Sequence, residues 1–418
     1  MKEIRRLAED RIIKSLQSFP VVYIAGPRQS GKTTLVQNIA RTRHKADYIT
    51  FDDLQTRSAA QKDPETFIRS FNGPVVLDEI QMVPELFRVL KIVVDENRKR
   101  KDAGKGRFLL TGSANVMALP KLSDALVGRI ALHYLLPFSA QEISKSISTS
   151  FIDRAFCEDL SYAGRKEESL TEVMRRASFP ELLNFSDPSV CYEWCNGYMN
   201  TILQRDVRLL LEIEKIAALP DLLRLMASRT GGLLNEASLT RDCELNHITL
   251  KKYRILLENL FLTLSIPAWS MNPGKRLVKS PKIYISDLNL LAYLNNIDMS
   301  NLPGLDRKLF GSFLENFVAA ELTKQLTFSK IRARLYHYRT ASGQEVDFIL
   351  EGPENTVAAI EVKSAAKVTA HDFRHLEALR NDIGNKFKRG FVLYQGSRIV
   401  PFGSDLWAIP FSSLWQQA

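Results

Sequence analysis

Val21-Val22-Tyr23-Ile24-Ala25 runs directly into Gly26-Pro27-Arg28-Gln29-Ser30-Gly31-Lys32-Thr33-Thr34, and apolar residues recur beyond it at Leu35 and Ile39. The β-branched run predicts a strand and the later spacing a helix; the glycine-framed loop between them fits G-x-x-x-x-G-K-[ST], a P-loop. In such a loop, backbone N–H groups and a helix N-terminus meet phosphate. Gly26 and Gly31 let the backbone turn and approach an anion without a Cβ in the way, Lys32 brings a mobile positive charge, and Thr33 offers a hydroxyl to Mg2+. Residues 26–34 are therefore the expected nucleotide-binding set.

Three further apolar runs end in polar residues: Tyr48-Ile49-Thr50-Phe51 in Asp52-Asp53, Pro74-Val75-Val76-Leu77 in Asp78-Glu79, and Arg107-Phe108-Leu109-Leu110 in Thr111-Gly112-Ser113. Strands of this kind, separated by helical patterns, predict a parallel sheet with ligands at the carboxyl ends. Asp78 is then placed to hold Mg2+, and Glu79 to orient and polarise an attacking water, which points to hydrolysis and not only binding. One of Thr111 and Ser113 is expected at the terminal phosphate, with Ser113 the choice for the binding set. Arg129 is a candidate for stabilising charge on a transferred phosphoryl group, from its own or a neighbouring subunit; a structural salt bridge is its alternative role.

Length suits two to four domains: the chain has 418 residues, 45% of them hydrophobic, and a formal net charge of +10. A basic balance favours a polyanionic partner, nucleotide or nucleic acid. Cys157, Cys191, Cys195 and Cys243 include no C-x-x-C pair, so buried thiols in a reducing cytosol are expected and not a zinc site. With no apolar run of ~18 residues, no membrane partner is expected and the protein is placed in the cytoplasm. The basic run Asn97–Arg107 reads as a solvated loop at the sheet end away from the nucleotide, with a contact to a phosphate backbone as its alternative.

Beyond a helical stretch, Asp221–Ser228, Asn235–Arg241 and His247–Leu260 predict three helices, followed by strands at Leu262–Trp269 and Lys282–Ile285. That order reads as a winged helix-turn-helix, with Thr249, Lys251, Lys252 and Arg254 on its third helix and Lys275, Arg276 and Lys279 in its wing as phosphate contacts. Protein docking is the other use of such a module.

In the last segment, Glu315 lies on a predicted helix, Leu335–Arg339 is a strand, and Glu345-Val346-Asp347 leads through Gly352-Pro353 to Ile360-Glu361-Val362-Lys363. A hairpin brings Asp347 and Glu361 together as oxygen ligands, and strand alternation returns Lys363 to their side, where it can help activate water.

Leu77-Asp78-Glu79, Leu109-Leu110-Thr111-Gly112-Ser113, Gly128-Arg129, Leu136-Pro137-Phe138-Ser139, Ser178-Phe179-Pro180-Glu181, Leu203-Gln204-Arg205-Asp206-Val207 and Lys279-Ser280-Pro281-Lys282 together resemble a widespread prokaryotic family of AAA-type ATPases that carry a C-terminal domain of unknown function. Ala177-Ser178 stands where that family usually has two glycines. The Asp347, Glu361, Lys363 pattern, with Glu315 added, resembles the PD-(D/E)xK nuclease superfamily. These resemblances imply an α/β chain: a P-loop AAA-type parallel sheet (residues 1–140), a helical lid (141–218), a winged helix-turn-helix (219–300) and an α/β nuclease-like domain (301–418). They imply ATP and Mg2+ at the first site, and Mg2+ or Mn2+ held by Asp347, Glu361 and Glu315 at the second. DNA more than RNA is the implied polymer, with a homo-oligomer as a possible assembly. The alternative is a nucleotide-gated switch or DNA-binding regulator whose C-terminal domain binds a partner without cleaving.

Overall fold

The computed structural model describes residues 4–98, 104–113, 127–146, 149–157, 169–207, 216–272, 274, 276 and 279–416. The chain divides into two compact units: Arg5–Pro137 with Asn259–Phe261, and Met1–Ile4 with Phe138–Glu258 and Leu262–Ala418.

In the first unit, β1 (Val21–Ala25), β2 (Asp47–Thr50), β3 (Val75–Asp78), β4 (Phe108–Gly112) and β5 (Ile130–Tyr134) form a parallel sheet in the order β2-β3-β4-β1-β5. Every residue of β1, β3 and β4 is buried, as a sheet covered on both faces requires. The helix Lys32–Thr42 crosses from β1 to β2 and buries Leu35, Val36 and Ile39. Because β1 pairs with β4 on one side and β5 on the other, the chain leaves β1 at a switch point, where α/β sheets open a crevice at their carboxyl edge.

The second unit is built around the 20-residue helix Arg307–Leu326. Its central residues Phe313 to Leu322 are apolar on nearly every side and mostly buried, the pattern of a helix packed all round. Its buried polar residues cap other elements. Glu321 accepts from the Ala140 N–H at the start of Ala140–Ile143 (2.8 Å), and Gln325 accepts from the Phe151 N–H at the start of Phe151–Phe156 (2.9 Å). Both bonds satisfy helix-end donors that burial would otherwise strand. The segment expected as a separate lid is in this way packed into the second unit. Ser178, in place of a glycine, donates to Asp287 within the core (2.6 Å).

Next come helices Leu219–Ser228, Glu236–Asp242 and His247–Asn259, then the antiparallel pair β6 (Thr263–Ile266) and β7 (Lys282–Ile285), with Leu233 bridging Lys282. Asn235 caps the second of these helices through the Ser238 N–H (3.0 Å). β6 is shorter than the expected Leu262–Trp269 strand, because beyond Pro267 the chain turns to pair Ala268 with His337.

The last sheet comprises β8 (Arg334–Arg339), β9 (Glu345–Glu351), β10 (Val357–Val362), β11 (Phe387–Tyr394), β12 (Val400–Pro401) and β13 (Leu406–Pro410), in the order β12-β13-β11-β10-β9-β8. β8, β9 and β10 are antiparallel neighbours; β10 and β11 are parallel, joined by a crossover through helix Arg374–Ile383. Phe373, Leu376 and Leu379 cover Ile349, Ala359 and Val392 in one apolar cluster. All four cysteines are free, but only Cys195 is buried and Cys157 is exposed, so the expectation of uniformly buried thiols fails.

Candidate nucleotide site and a closed acidic cluster

At the end of β1 the chain passes so close to Leu135 that a Cβ on Gly26 would lie 2.1 Å from its carbonyl oxygen; no other residue fits. The loop turns through left-handed backbone at Gln29 (φ 59°) and at Gly31 (φ 91°), the residue preceding the Lys32–Thr42 helix. The first helical N–H groups thus open onto the loop. Lys32 is buried, its Nζ donating to the Gly26 (3.0 Å) and Pro27 (2.8 Å) carbonyls. Ser30 Oγ is buried without a hydrogen-bond partner, whereas Gln29 and Thr34 are exposed and Arg28 is half-buried. From below, Arg6 donates to the Ser30 (2.7 Å) and Leu136 (2.6 Å) carbonyls and pins the loop in shape.

Asp78, almost fully buried at the end of β3, gathers three hydroxyls. Thr33 (2.9 Å) and Tyr48 (2.7 Å) donate to Oδ2, and Thr111 donates to Oδ1. Burial and the Asp78 carboxylate raise the Tyr48 pKa, so the phenol stays protonated as a donor. Thr111 Oγ1 also accepts from the Glu79 N–H (3.0 Å). Glu79 itself is in left-handed backbone (φ 57°). Its carboxylate accepts from Gln81 Nε2, which donates to Ser113 Oγ as well (2.9 Å). Thr111 and Ser113 therefore both belong to the site, one through Asp78 and one through Gln81.

The donor set fits the expected ligands. A glycine cradle, a helix N-terminus and a buried lysine suit phosphate, and a hydroxyl beside a carboxylate suits Mg2+, which takes few protein oxygens and keeps waters and phosphates. Arg6, Tyr48 and Gln81 escaped the sequence reading, since only packing brings them to the loop and the acids.

Arg129 is corrected. It precedes β5, whose Ile130 pairs with Val21 at the start of β1, so it stands at the amino end of the sheet and the loop at the carboxyl end. There Asp95 holds its guanidinium on two oxygens (2.6 and 2.8 Å). On its own chain it is a salt-bridge residue.

In the second unit the expected acids do converge, but upon a lysine. Lys282 Nζ lies 3.0 Å from Glu315, 2.8 Å from Glu345 and 3.3 Å from Asp347, with its side chain 3% exposed. Tyr284 donates to the same Glu315 oxygen (2.6 Å). Asp347 Oδ2 accepts from the Val362 N–H (2.9 Å), and Glu361 Oε1 accepts from Lys363 (2.8 Å), the lysine that alternation returned to this side. Glu361 Oε2 is buried without a partner.

Burial, then repulsion from Asp347, pushes Glu315 up to about 7 and Glu361 up to about 8. Burial works against the Lys282 charge, yet Asp347, Glu315 and Glu345 hold its pKa above the ordinary value. Among the described residues no three His, Cys, Asp or Glu side chains are grouped to hold a metal ion. The expected metal ligands Asp347, Glu361 and Glu315 are engaged by ammonium groups instead, Lys282 on Asp347 and Glu315 and Lys363 on Glu361.

The expected nucleic-acid contacts are also thinned. Arg254 is paired with Glu258 (2.6 Å), Arg276 with Glu351 (2.7 Å), and Lys279 donates to the Arg339 carbonyl (3.0 Å). Lys251 and Lys252 are exposed, Thr249 is half-buried, and Lys275 lies outside the described residues. The basic run is described only at its ends, as residues 99–103 also lie outside. No helix among the described residues is long and apolar enough to cross a membrane.

A parallel sheet with a P-loop after β1 and Asp78-Glu79 after β3 defines a P-loop nucleotide-binding domain. Residues 18–144 match the model of an AAA domain, so the first unit is of the AAA type. Residues 167–301 and 310–414 match two domains of unknown function, DUF8612 and DUF4143. Over 407 residues the chain is 28% identical to uncharacterized protein Rv2008c of Mycobacterium tuberculosis, spanning 97% of this chain and 83% of that protein; Mb2031c of Mycobacterium bovis matches to the same extent. Among solved structures, a Walker-type ATPase of Pyrococcus abyssi aligns with a TM-score of 0.40 at 17% identity, over 70% of this chain and 96% of its own. AMPPCP-bound DnaA from Aquifex aeolicus aligns at 0.29 and 16% identity, over 62% and 89%.

Proposed function

We propose that the chain is an ATP- and Mg2+-dependent hydrolase whose nucleotide state gates a nucleic-acid-binding second unit. One observation carries the hydrolase reading: Thr33, Asp78, Thr111, Glu79, Gln81 and Ser113 form one connected hydrogen-bonded set beside the loop. The loop N–H groups and Lys32 bind and orient the phosphates. Thr33 and Asp78 would hold Mg2+, which when bound neutralises phosphate charge. Glu79 orients the attacking water and takes its proton as the terminal phosphoryl group leaves ADP. Gln81, itself bonded to Ser113, holds the Glu79 carboxylate, and the pair can sense the terminal phosphate. A homo-oligomer belongs to this reading as the arrangement in which a neighbouring subunit completes the nucleotide site; Arg129, held by Asp95, does not argue for it.

Nucleic acid is the partner favoured by the net charge of +10 and by the exposed Lys251 and Lys252. Binding without cleavage is the state that the Lys282 contacts favour. A metal-dependent nuclease centre is the second reading, supported by Asp347 and Glu361 on neighbouring antiparallel strands with Lys363 on the same side. The test measures binding and cleavage of labelled DNA and RNA with ATP, ADP or no nucleotide, in wild type, Lys32→Ala and Asp347→Ala. Affinity that shifts with ATP in wild type but not in Lys32→Ala supports the gate; equal affinity throughout overturns it. Cleavage lost in Asp347→Ala puts the nuclease reading first.

A further inference from the structure

We infer that Lys282 is a built-in cation that keeps the Glu315–Glu345–Asp347 cluster closed to divalent ions, making β7 an inhibitory contact on the last sheet. Lys282 and Tyr284 are two apart on β7, so both face Glu315, and they reach the same oxygen of its carboxylate. The turn before Leu233 completes the cover. Gly231, in left-handed backbone (φ 77°), lies so close that a Cβ there would be 3.2 Å from Glu315, and its N–H donates to the Ile283 carbonyl (2.9 Å). Thr230 beside it donates to Asn316 on the same helix (2.6 Å).

Charge balance is what makes the contact conditional. Four carboxylates, Glu315, Glu345, Asp347 and Glu361, crowd around Lys282 and Lys363, with Arg339 3.6 Å from Glu345 at the edge. Glu361 Oε2 is left buried and unpartnered, an acceptor that the lysines do not satisfy. An oxygen-lined cluster of four carboxylates suits a doubly charged, oxygen-preferring cation better than one ammonium, and replacing Lys282 removes the group that occupies it. The inference concerns the second unit and stands whether or not the first hydrolyses ATP, because the ion count below is made without nucleotide.

Mn2+ bound to the full-length protein is counted by electron paramagnetic resonance in wild type, Lys282→Met and Lys282→Met with Asp347→Asn. Lys282→Met is expected to gain one Mn2+ and to bind it about tenfold or more tightly than wild type, since a facing positive charge is removed; Asp347→Asn should abolish that gain. Lys282→Gln, which removes the charge but keeps a hydrogen-bond donor for Glu315 and Asp347, reads the same effect if Lys282→Met does not fold. Two results overturn the inference: an Asp347-dependent Mn2+ bound as tightly by wild type as by the variants, or no gain in any folded variant.

Discussion

Glu79 is held in a backbone conformation that costs a non-glycine residue of order 1 kcal/mol, and the residues that hold it there were the least visible in the sequence. Asp78 and Glu79 were legible because an acid pair ends an apolar strand downstream of a P-loop. Gln81 was not, since nothing in Ile80-Gln81-Met82 distinguishes a side chain that turns back to Glu79 and Ser113. Gln81→Ala is expected to lower ATP turnover about tenfold or more while leaving the KM for ATP near wild type, because it frees the Glu79 carboxylate without touching the loop; steady-state kinetics reads this directly. A second residue carries a pH signature. Burial, with help from Arg11, pushes His133 down to about 4, against an ordinary value of 6.5. The unfolded chain therefore binds the extra proton first as pH falls, so the stability held by neutral His133 is complete above about 6.5 and is lost as pH falls through about 4. Urea unfolding of wild type against His133→Gln should show wild type losing up to about 3 kcal/mol more across that window.

Strands and helices were easier to foresee than the uses of their ends. Continuous apolar runs made β1, β3 and β4 legible, but the place of Arg129 depends on β5 lying beside β1, a long-range choice that local pattern does not carry. The same holds for the hairpin of β6 and β7: its wing cations were read as phosphate contacts, whereas packing gave Arg276 to Glu351, and Lys282, which had been given no role, to the acidic cluster. Cations choose the nearest carboxylate in three dimensions, and period-2 alternation says only which face they share. One element-level prediction follows from the turn out of β1. Gly26→Ala places a methyl 2.1 Å from the Leu135 carbonyl, so the loop must shift; a loss of about 1–3 kcal/mol in unfolding free energy, together with weakened nucleotide binding, is expected from denaturation and fluorescent-nucleotide titration.

For the whole molecule, the P-loop domain was readable because its chemistry is local and ordered along the chain. The second unit was readable in outline, as a helix and an antiparallel hairpin, but not in the parallel crossover from β10 to β11, and the state of its cluster turned on Lys282, more than thirty residues before Glu315 in sequence. The joint behaviour predicted for the two units is that nucleotide at Lys32 alters nucleic-acid affinity at fixed salt, as the binding series with Lys32→Ala will read. The hydrolase reading of the first unit rests on Glu79. The decisive measurement is ATP hydrolysis alongside ATP binding for wild type and Glu79→Gln, with Mg2+ present. The account predicts that the variant binds ATP as tightly as wild type and hydrolyses it about a hundredfold or more slowly; hydrolysis by Glu79→Gln at the wild-type rate would contradict it.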